Sequence, residues 1–159
     1  MKNKRWIYLL LGLALLMSLA ACWGGAPKVD WELKISGDVA NPMTLSYRDL
    51  TGMEQRDLTE IMMEKSTGED EVTSWSGVDL ITVLDQAGAG EFVTITAFAA
   101  DGYAIEVSAG ELENAIIALM DNGEWIADVT PDKGPIRLVT PETPGNRWVF
   151  QLVELQINQ

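Results

Sequence analysis

An α+β domain built on mixed or antiparallel sheets with short helices is the fold class this sequence predicts. Three observations predict it. Segments with strand-type alternation outnumber segments with a helical apolar stripe, and the helical ones are short. Tight-turn signals such as Asp101-Gly102 and Asn122-Gly123 recur between apolar runs. No regular strand-helix-strand alternation runs along the chain, so a doubly wound parallel sheet is not indicated.

The elements follow in order. Trp31, Leu33 and Ile35 alternate with Glu32, Lys34 and Ser36, the period of a half-buried strand. Met43-Thr44-Leu45 is a second extended piece after the turn residues Asn41-Pro42. Ser46 with Asp49 three residues on reads as a capping box for one helical turn through Leu50. Gln55 to Lys65 reads as a long strand, Ser66 to Asp70 as an exposed loop, and Val72 to Trp75 as the partner strand. Val78 to Ala87 is the clearest helix: Val78, Leu80, Ile81, Val83 and Leu84 form a stripe, and Gly88 stands where a C-cap glycine belongs. Phe92 to Phe98 and Tyr103 to Val107 are strands joined by the Asp101-Gly102 turn. Ser108 and Glu111 form a second capping box. Ala115 to Met120 is an apolar run closed by Asn122-Gly123, and Ile136 to Val139 and Trp148 to Ile157 are the last strands.

The first 21 residues read as a targeting segment. Lys2, Lys4 and Arg5 precede an apolar stretch from Trp6 to Ala21, about 16 residues, shorter than the roughly 20 a membrane-spanning helix needs. Leu19-Ala20-Ala21-Cys22 places small residues before a cysteine. This segment resembles a bacterial lipoprotein signal, which implies cleavage before Cys22 and acylation of its thiol, palmitate included. The alternative is an uncleaved anchor helix; either reading places the rest of the chain outside the cytoplasm, in the cell envelope. The expected organisation is a leader over 1–21, a lipidated tether over 22–30, where Gly24-Gly25-Ala26-Pro27 disfavours regular structure, and one domain over 31–159.

Composition narrows the chemistry. Cys22 is the only cysteine and there is no histidine. Without the leader the chain has no disulfide, no thiolate nucleophile, and no Ser-His or Cys-His pair. Losing residues 1–21 removes three of the 11 basic residues, leaving eight against 24 acids, a net charge of −16. That surplus repels nucleic acid and anionic headgroups, so no nucleic-acid partner is expected. The expected partners are the membrane, through lipid on Cys22, and an envelope protein or a small ligand.

Several stretches in fixed order carry a family resemblance: Asn41 to Leu50, Trp75-Ser76-Gly77-Val78-Asp79-Leu80 running to Gly88, Asp101-Gly102-Tyr103, Gly134-Pro135-Ile136-Arg137-Leu138-Val139, and Arg147-Trp148-Val149. Together they resemble the molybdopterin-binding oxidoreductase domain, the sulfite-oxidase-like fold, from about Trp31 to Asn158. The resemblance implies a pterin cofactor whose molybdenum is held by one cysteine, lying between the elements matched by Asp49-Leu50 and by Trp75. Here that interval holds Ile61-Met62-Met63-Glu64-Lys65 and no cysteine. A thioether or a carboxylate is a poor stand-in for a soft anionic thiolate. The enzymes' histidine-bearing segment is also missing, and few basic residues remain for a pterin phosphate.

Trp75, Asp101, Tyr103, Arg137 and Arg147 are the candidate ligand-binding residues. Each has a bland reading beside it. Trp75 lines a groove or packs onto the helix opening at Val78. Asp101 and Tyr103 shape a site or only a hairpin turn. Arg137 and Arg147 grip an anion or pair with nearby acids. Glu69-Asp70-Glu71 reads as a solvated loop rather than a calcium site, and Met62-Met63, facing opposite sides of a strand, as surface and core. The expected function is a ligand- or partner-binding module that is catalytically degenerate, with no cofactor and no metal. The alternative is an active molybdopterin-dependent oxidoreductase passing electrons to a membrane partner.

Overall fold

In the computed structural model, which describes residues 25–159, two five-stranded sheets carry the chain. The leader and Cys22 lie outside the described residues. The strands are β1 (Glu32–Gly37), β2 (Met43–Ser46), β3 (Gln55–Met63), β4 (Glu71–Asp79), β5 (Thr94–Ala99), β6 (Ala104–Ser108), β7 (Ile116–Asp121), β8 (Glu124–Trp125), β9 (Arg137–Val139) and β10 (Leu152–Asn158). The helices are α1 (Tyr47–Gly52), α2 (Leu80–Ala87) and α3 (Ile126–Val129). The first sheet runs β2-β1-β10-β5-β6; the second runs β3-β4-β7-β8, with β9 also paired to β7. β1 and β10 are parallel, joining the two ends of the domain, while the other named pairs are antiparallel. The expected mixed-sheet α+β class is what forms.

Both capping boxes form. The Ser46 hydroxyl accepts from the Asp49 N–H at 3.2 Å, and the Asp49 carboxylate accepts from the Ser46 N–H at 2.8 Å. Ser108 and Glu111 repeat the arrangement on the 3-10 turn Ala109–Leu112. Gly88 caps α2 in the left-handed region, φ 68°.

Several boundaries differ from expectation. Val78 belongs to β4, not to the helix, which starts at Leu80; Val78 pairs with Ile117 on β7 and with Gln55 on β3. A buried residue at the strand end satisfies both a period of two and a helical stripe, and pairing on both sides decides for the strand. β4 accordingly extends well past Trp75. β3 stops at Met63 rather than Lys65, and β5 covers Thr94–Ala99 rather than beginning at Phe92. Trp148 to Ile157 is not one strand. Gln151 takes φ 47°, a left-handed conformation that interrupts the ladder, so β10 begins at Leu152 and Val149 makes only an isolated bridge to Leu138. The short α3 carries no signal strong enough to anticipate.

Two apolar clusters divide the interior. The larger joins the first sheet (Leu33, Ile35, Ile95, Leu155), α2 (Leu80, Val83, Leu84) and one face of the second sheet (Ile117, Leu119, Leu138). The smaller lies on the other face: Leu58, Trp75, Ile116, Ala118, Ile126, Val139 and Trp148, flanked by Ile61 and Met63. β7 supplies both faces, which explains why its sequence is continuously apolar rather than alternating. Among the described residues, both clusters draw on residues 29–157. Gly77 allows the closest sheet approach: a Cβ there would strike the Ile117 carbonyl oxygen and Ala118 Cα.

Candidate functional site

The smaller cluster holds a buried cation. Strand β9 alternates: Leu138 enters the large cluster, while Arg137 and Val139 share the opposite face, toward Trp75 and Trp148. Arg137 is only 6% exposed. Its guanidinium carbon lies 3.6 Å from the centroid of Phe150, 4.7 Å from Trp75 and 5.4 Å from Trp148. The two tryptophans meet edge to face, 5.9 Å apart at 89°. Each indole is fixed at its polar end: Trp75 Nε1 donates to Thr73 Oγ1 at 2.8 Å, and Trp148 Nε1 to the carbonyls of Thr140 at 2.9 Å and Thr143 at 3.1 Å. The rings are therefore a rigid cage, and cation–π attraction holds the charge against them.

What the cage does not supply is a hydrogen-bond partner. Among the described residues the Arg137 side chain donates no hydrogen bond and has no acid within ion-pair distance, and its Nε is fully buried and unsatisfied. Burial pulls its pKa down to about 10, partly offset by the negative charge of Asp121. Burial likewise pushes the Asp121 carboxyl above its ordinary range, against the pull of Arg137. A guanidinium carries five donors and no acceptor, the donor set that suits a carboxylate or other oxyanion.

Phe150 and Trp148 face a second space. Together with Ala99, Asp101, Tyr103, Gly145 and Asn146 they line a cavity of about 240 Å³. The left-handed Gln151 positions Phe150: its carbonyl accepts from the Ala100 N–H at 2.9 Å and its amide donates to the Asp132 carbonyl. Lys133 Nζ approaches the same ring, 5.7 Å from its centroid.

Of the five sequence candidates, the fold gathers four around these rings and separates one. Trp75 touches Arg137; contrary to the packing expected for it, it belongs to the small cluster and not to the face under α2. Asp101 and Tyr103 sit on the cavity wall, where the Asp101 carboxylate accepts from the Tyr103 N–H at 2.9 Å. Arg147 is drawn away: its Nη1 pairs with Glu111 at 2.6 Å and its Nη2 donates to the Glu106 carbonyl at 3.0 Å. Its expected pairing with an acid is present; the same expectation fails for Arg137, whose place is taken by aromatic faces. Phe150 and Asn146 lie outside the motifs read from the sequence, and Trp148 enters there only as part of Arg147-Trp148-Val149. A lone aromatic between Val149 and Gln151 was the available signal, and it gives no direction without the turn at Gln151. Met62 is exposed and Met63 partly buried against the small cluster, as strand alternation requires.

The fold is that of a molybdopterin-binding oxidoreductase domain. The chain belongs to the family of the oxidoreductase molybdopterin binding domain, whose model matches residues 23–159. The crystal structure of the sulfane dehydrogenase SoxCD from Paracoccus pantotrophus shares the fold, with a TM-score of 0.72 at 22% identity over 84% of this chain. This chain spans 40% of that one.

The family's cofactor can be tested against the residues present. A molybdenum held by a protein thiolate does not fit them: residues 23–159 contain no cysteine and no histidine. In the interval where the resemblance places the ligand, Met63 is packed under the Gly145 loop. A Cβ on Gly145 would strike Met63 Cγ, and the Gly145 N–H donates to the Glu64 carbonyl at 2.8 Å. Met63 is committed to that packing rather than aimed at an open metal position.

Proposed function

We propose that this protein is a lipid-anchored, extracytoplasmic ligand-binding module that keeps the molybdopterin-oxidoreductase fold and has lost its catalysis. Arg137 carries the reading: a buried guanidinium without a hydrogen-bond partner, beside a small cavity, in a chain whose one thiol stands in the lipobox at Cys22. Leaving such a charge unpaired costs folding free energy, and a small anionic ligand would offset that cost. The Leu19-Ala20-Ala21-Cys22 motif supports the anchor and the location in a bacterial envelope, and the sole cysteine supports the loss of metal.

The test is to express the chain from residue 27 in a host that makes the molybdenum cofactor, then measure bound molybdenum and pterin fluorescence. Neither is expected at stoichiometric level. Tryptophan fluorescence, to which Trp75 and Trp148 beside Arg137 contribute together with Trp31 and Trp125, is expected to change on titration with sulfate or acetate, and not in Arg137→Met. Stoichiometric molybdenum would overturn the reading in favour of an active oxidoreductase serving a membrane partner. Fluorescence indifferent to both anions would leave the cage a structural element only.

A further inference from the structure

Eight basic residues follow Cys22, against 24 acids in the whole chain. Four of the eight form ion pairs: Lys34 with Glu154, Arg56 with Asp79, Lys65 with Glu71 and Arg147 with Glu111. Two more, Arg137 and Lys133, lie against aromatic rings. That leaves Lys28 and Arg48. Among the described residues neither has an acid within ion-pair distance nor a ring beneath it, and both are exposed.

These two line the same cleft. It is an open space of about 740 Å³ between the segment Ala26–Asp30 and the start of α1, where Tyr47 and Thr51 also line it. Asp30 is the opposing charge on the wall. The neighbouring Asp49 accepts from both the N–H and the hydroxyl of Ser46, and its carboxylate also feels the Arg48 charge, so it is a second, partial counter-charge beside Asp30. In a chain this acidic, chance pairing would neutralise most cations, so two unpaired ones sharing a cleft are a local exception. Their place in the sequence adds meaning. Lys28 is six residues after Cys22, at most about 20 Å of extended chain.

We propose that this cleft binds the phosphate of an anionic phospholipid headgroup, with the Arg48 fork and the Lys28 ammonium as its donors. The inference rests on the lipid-anchor reading of Cys22 for its supply of membrane. Its consequence is orientation: the cleft end is drawn to the bilayer while the remaining acid surplus is held off it.

The experiment uses the chain from residue 22 carrying Cys22→Ser, which keeps the tether and every core residue among those described and removes the acylation site. Its outcome is therefore independent of whether Cys22 is acylated in the cell. Co-sedimentation is measured with vesicles of phosphatidylcholine alone and of phosphatidylcholine mixed with phosphatidylglycerol. Binding is expected only to the second and is expected to fall with salt. Lys28→Ala and Arg48→Ala should each weaken it about fivefold, the effect of one basic side chain near an anionic surface. Asp30→Asn should strengthen it, and Lys65→Ala, whose lysine is ion-paired elsewhere, should change nothing. Circular dichroism confirms that the variants fold. Equal binding to both vesicles, or binding unchanged in the Lys28→Ala/Arg48→Ala double variant, would overturn the proposal. Inorganic phosphate shifting the Lys28 and Arg48 NMR signals without any vesicle binding would assign the cleft to a soluble phosphate and overturn the lipid source.

Discussion

The Arg137 guanidinium stacks on the Phe150 ring at 3.6 Å, and this pair joins the small cluster of the second sheet to the cavity beside it. Arg137 arrives from β9 and Phe150 from the turn before β10, so the contact also ties the end of the chain to its interior. Because the Arg137 side chain has no hydrogen-bond partner among the described residues, the ring faces are its main compensation for burial.

Two variants separate the roles in this pair. Arg137→Met keeps the volume and removes the charge, so stability should hold or rise, as for other buried ions replaced by apolar side chains. Phe150→Ala uncovers the guanidinium and should destabilise by about 2 kcal/mol. Urea unfolding followed by tryptophan fluorescence measures both. A large loss of stability in Arg137→Met would show that the charge is held by something stronger than the rings.

A second prediction concerns acid. Hydrogen bonds from the Ser108 hydroxyl and N–H, with the Arg147 guanidinium next in weight, hold the Glu111 carboxyl below its ordinary value. Asp49 is lowered in the same way by Ser46, and Glu154 by Lys34 and Ser36. In each case the unfolded chain takes up a proton before the folded one does. Their contribution is therefore present above the unfolded carboxylate range, near pH 4 to 4.5, and is lost as pH falls through the lower folded values. Thermal melts from pH 7 to pH 3 should show stability falling below about pH 4.5, and Glu111→Gln should flatten that fall. A melting temperature constant across the range would count against these carboxylates.

Close packing gives a third. Gly77→Ala places a Cβ against the Ile117 carbonyl and Ala118, where backbone must move, and should destabilise by about 3 kcal/mol. Gly110→Ala meets nothing within 4 Å and should lie within about 0.5 kcal/mol of the parent. Equal effects at the two positions would show that β4 and β7 are less tightly apposed than described.

Cys22→Ser supplies the fourth. If the thiol carries the lipid, the variant should move from the membrane to the soluble fraction, with the domain's melting temperature unchanged, since among the described residues the core draws on positions from Val29 onward. Retention on membranes after an alkaline wash would point to an uncleaved leader instead.

Much of the fold was legible residue by residue. Ser46-Asp49 and Ser108-Glu111 formed their boxes because capping is local chemistry, complete within four residues. Asn122-Gly123 and Asp101-Gly102 turned the chain for the same reason. The division at Val78 was not legible, because a strand end and a helix start place the same residue inward. Nor was the break at Gln151, since a left-handed glutamine is imposed by its surroundings and not by its own preference. At the site, Arg137, Asp101, Tyr103 and Trp75 could be picked out as residue types. Phe150 could not, because its use depends on which way one strained turn directs it.

The sequence by itself determined the chemical inventory: one cysteine, no histidine, an acid surplus, a mixed-sheet domain and the ordered motifs of its family. These follow from composition and short-range periodicity, which need no partner distant in the chain. The tertiary structure alone decided how two similar arginines were used. Arg147 was brought to Glu111 and neutralised, while Arg137, ten residues earlier, was enclosed by three rings and left with its donors unclaimed. Whether a buried charge is paired depends on what long-range packing places within about 4 Å of it.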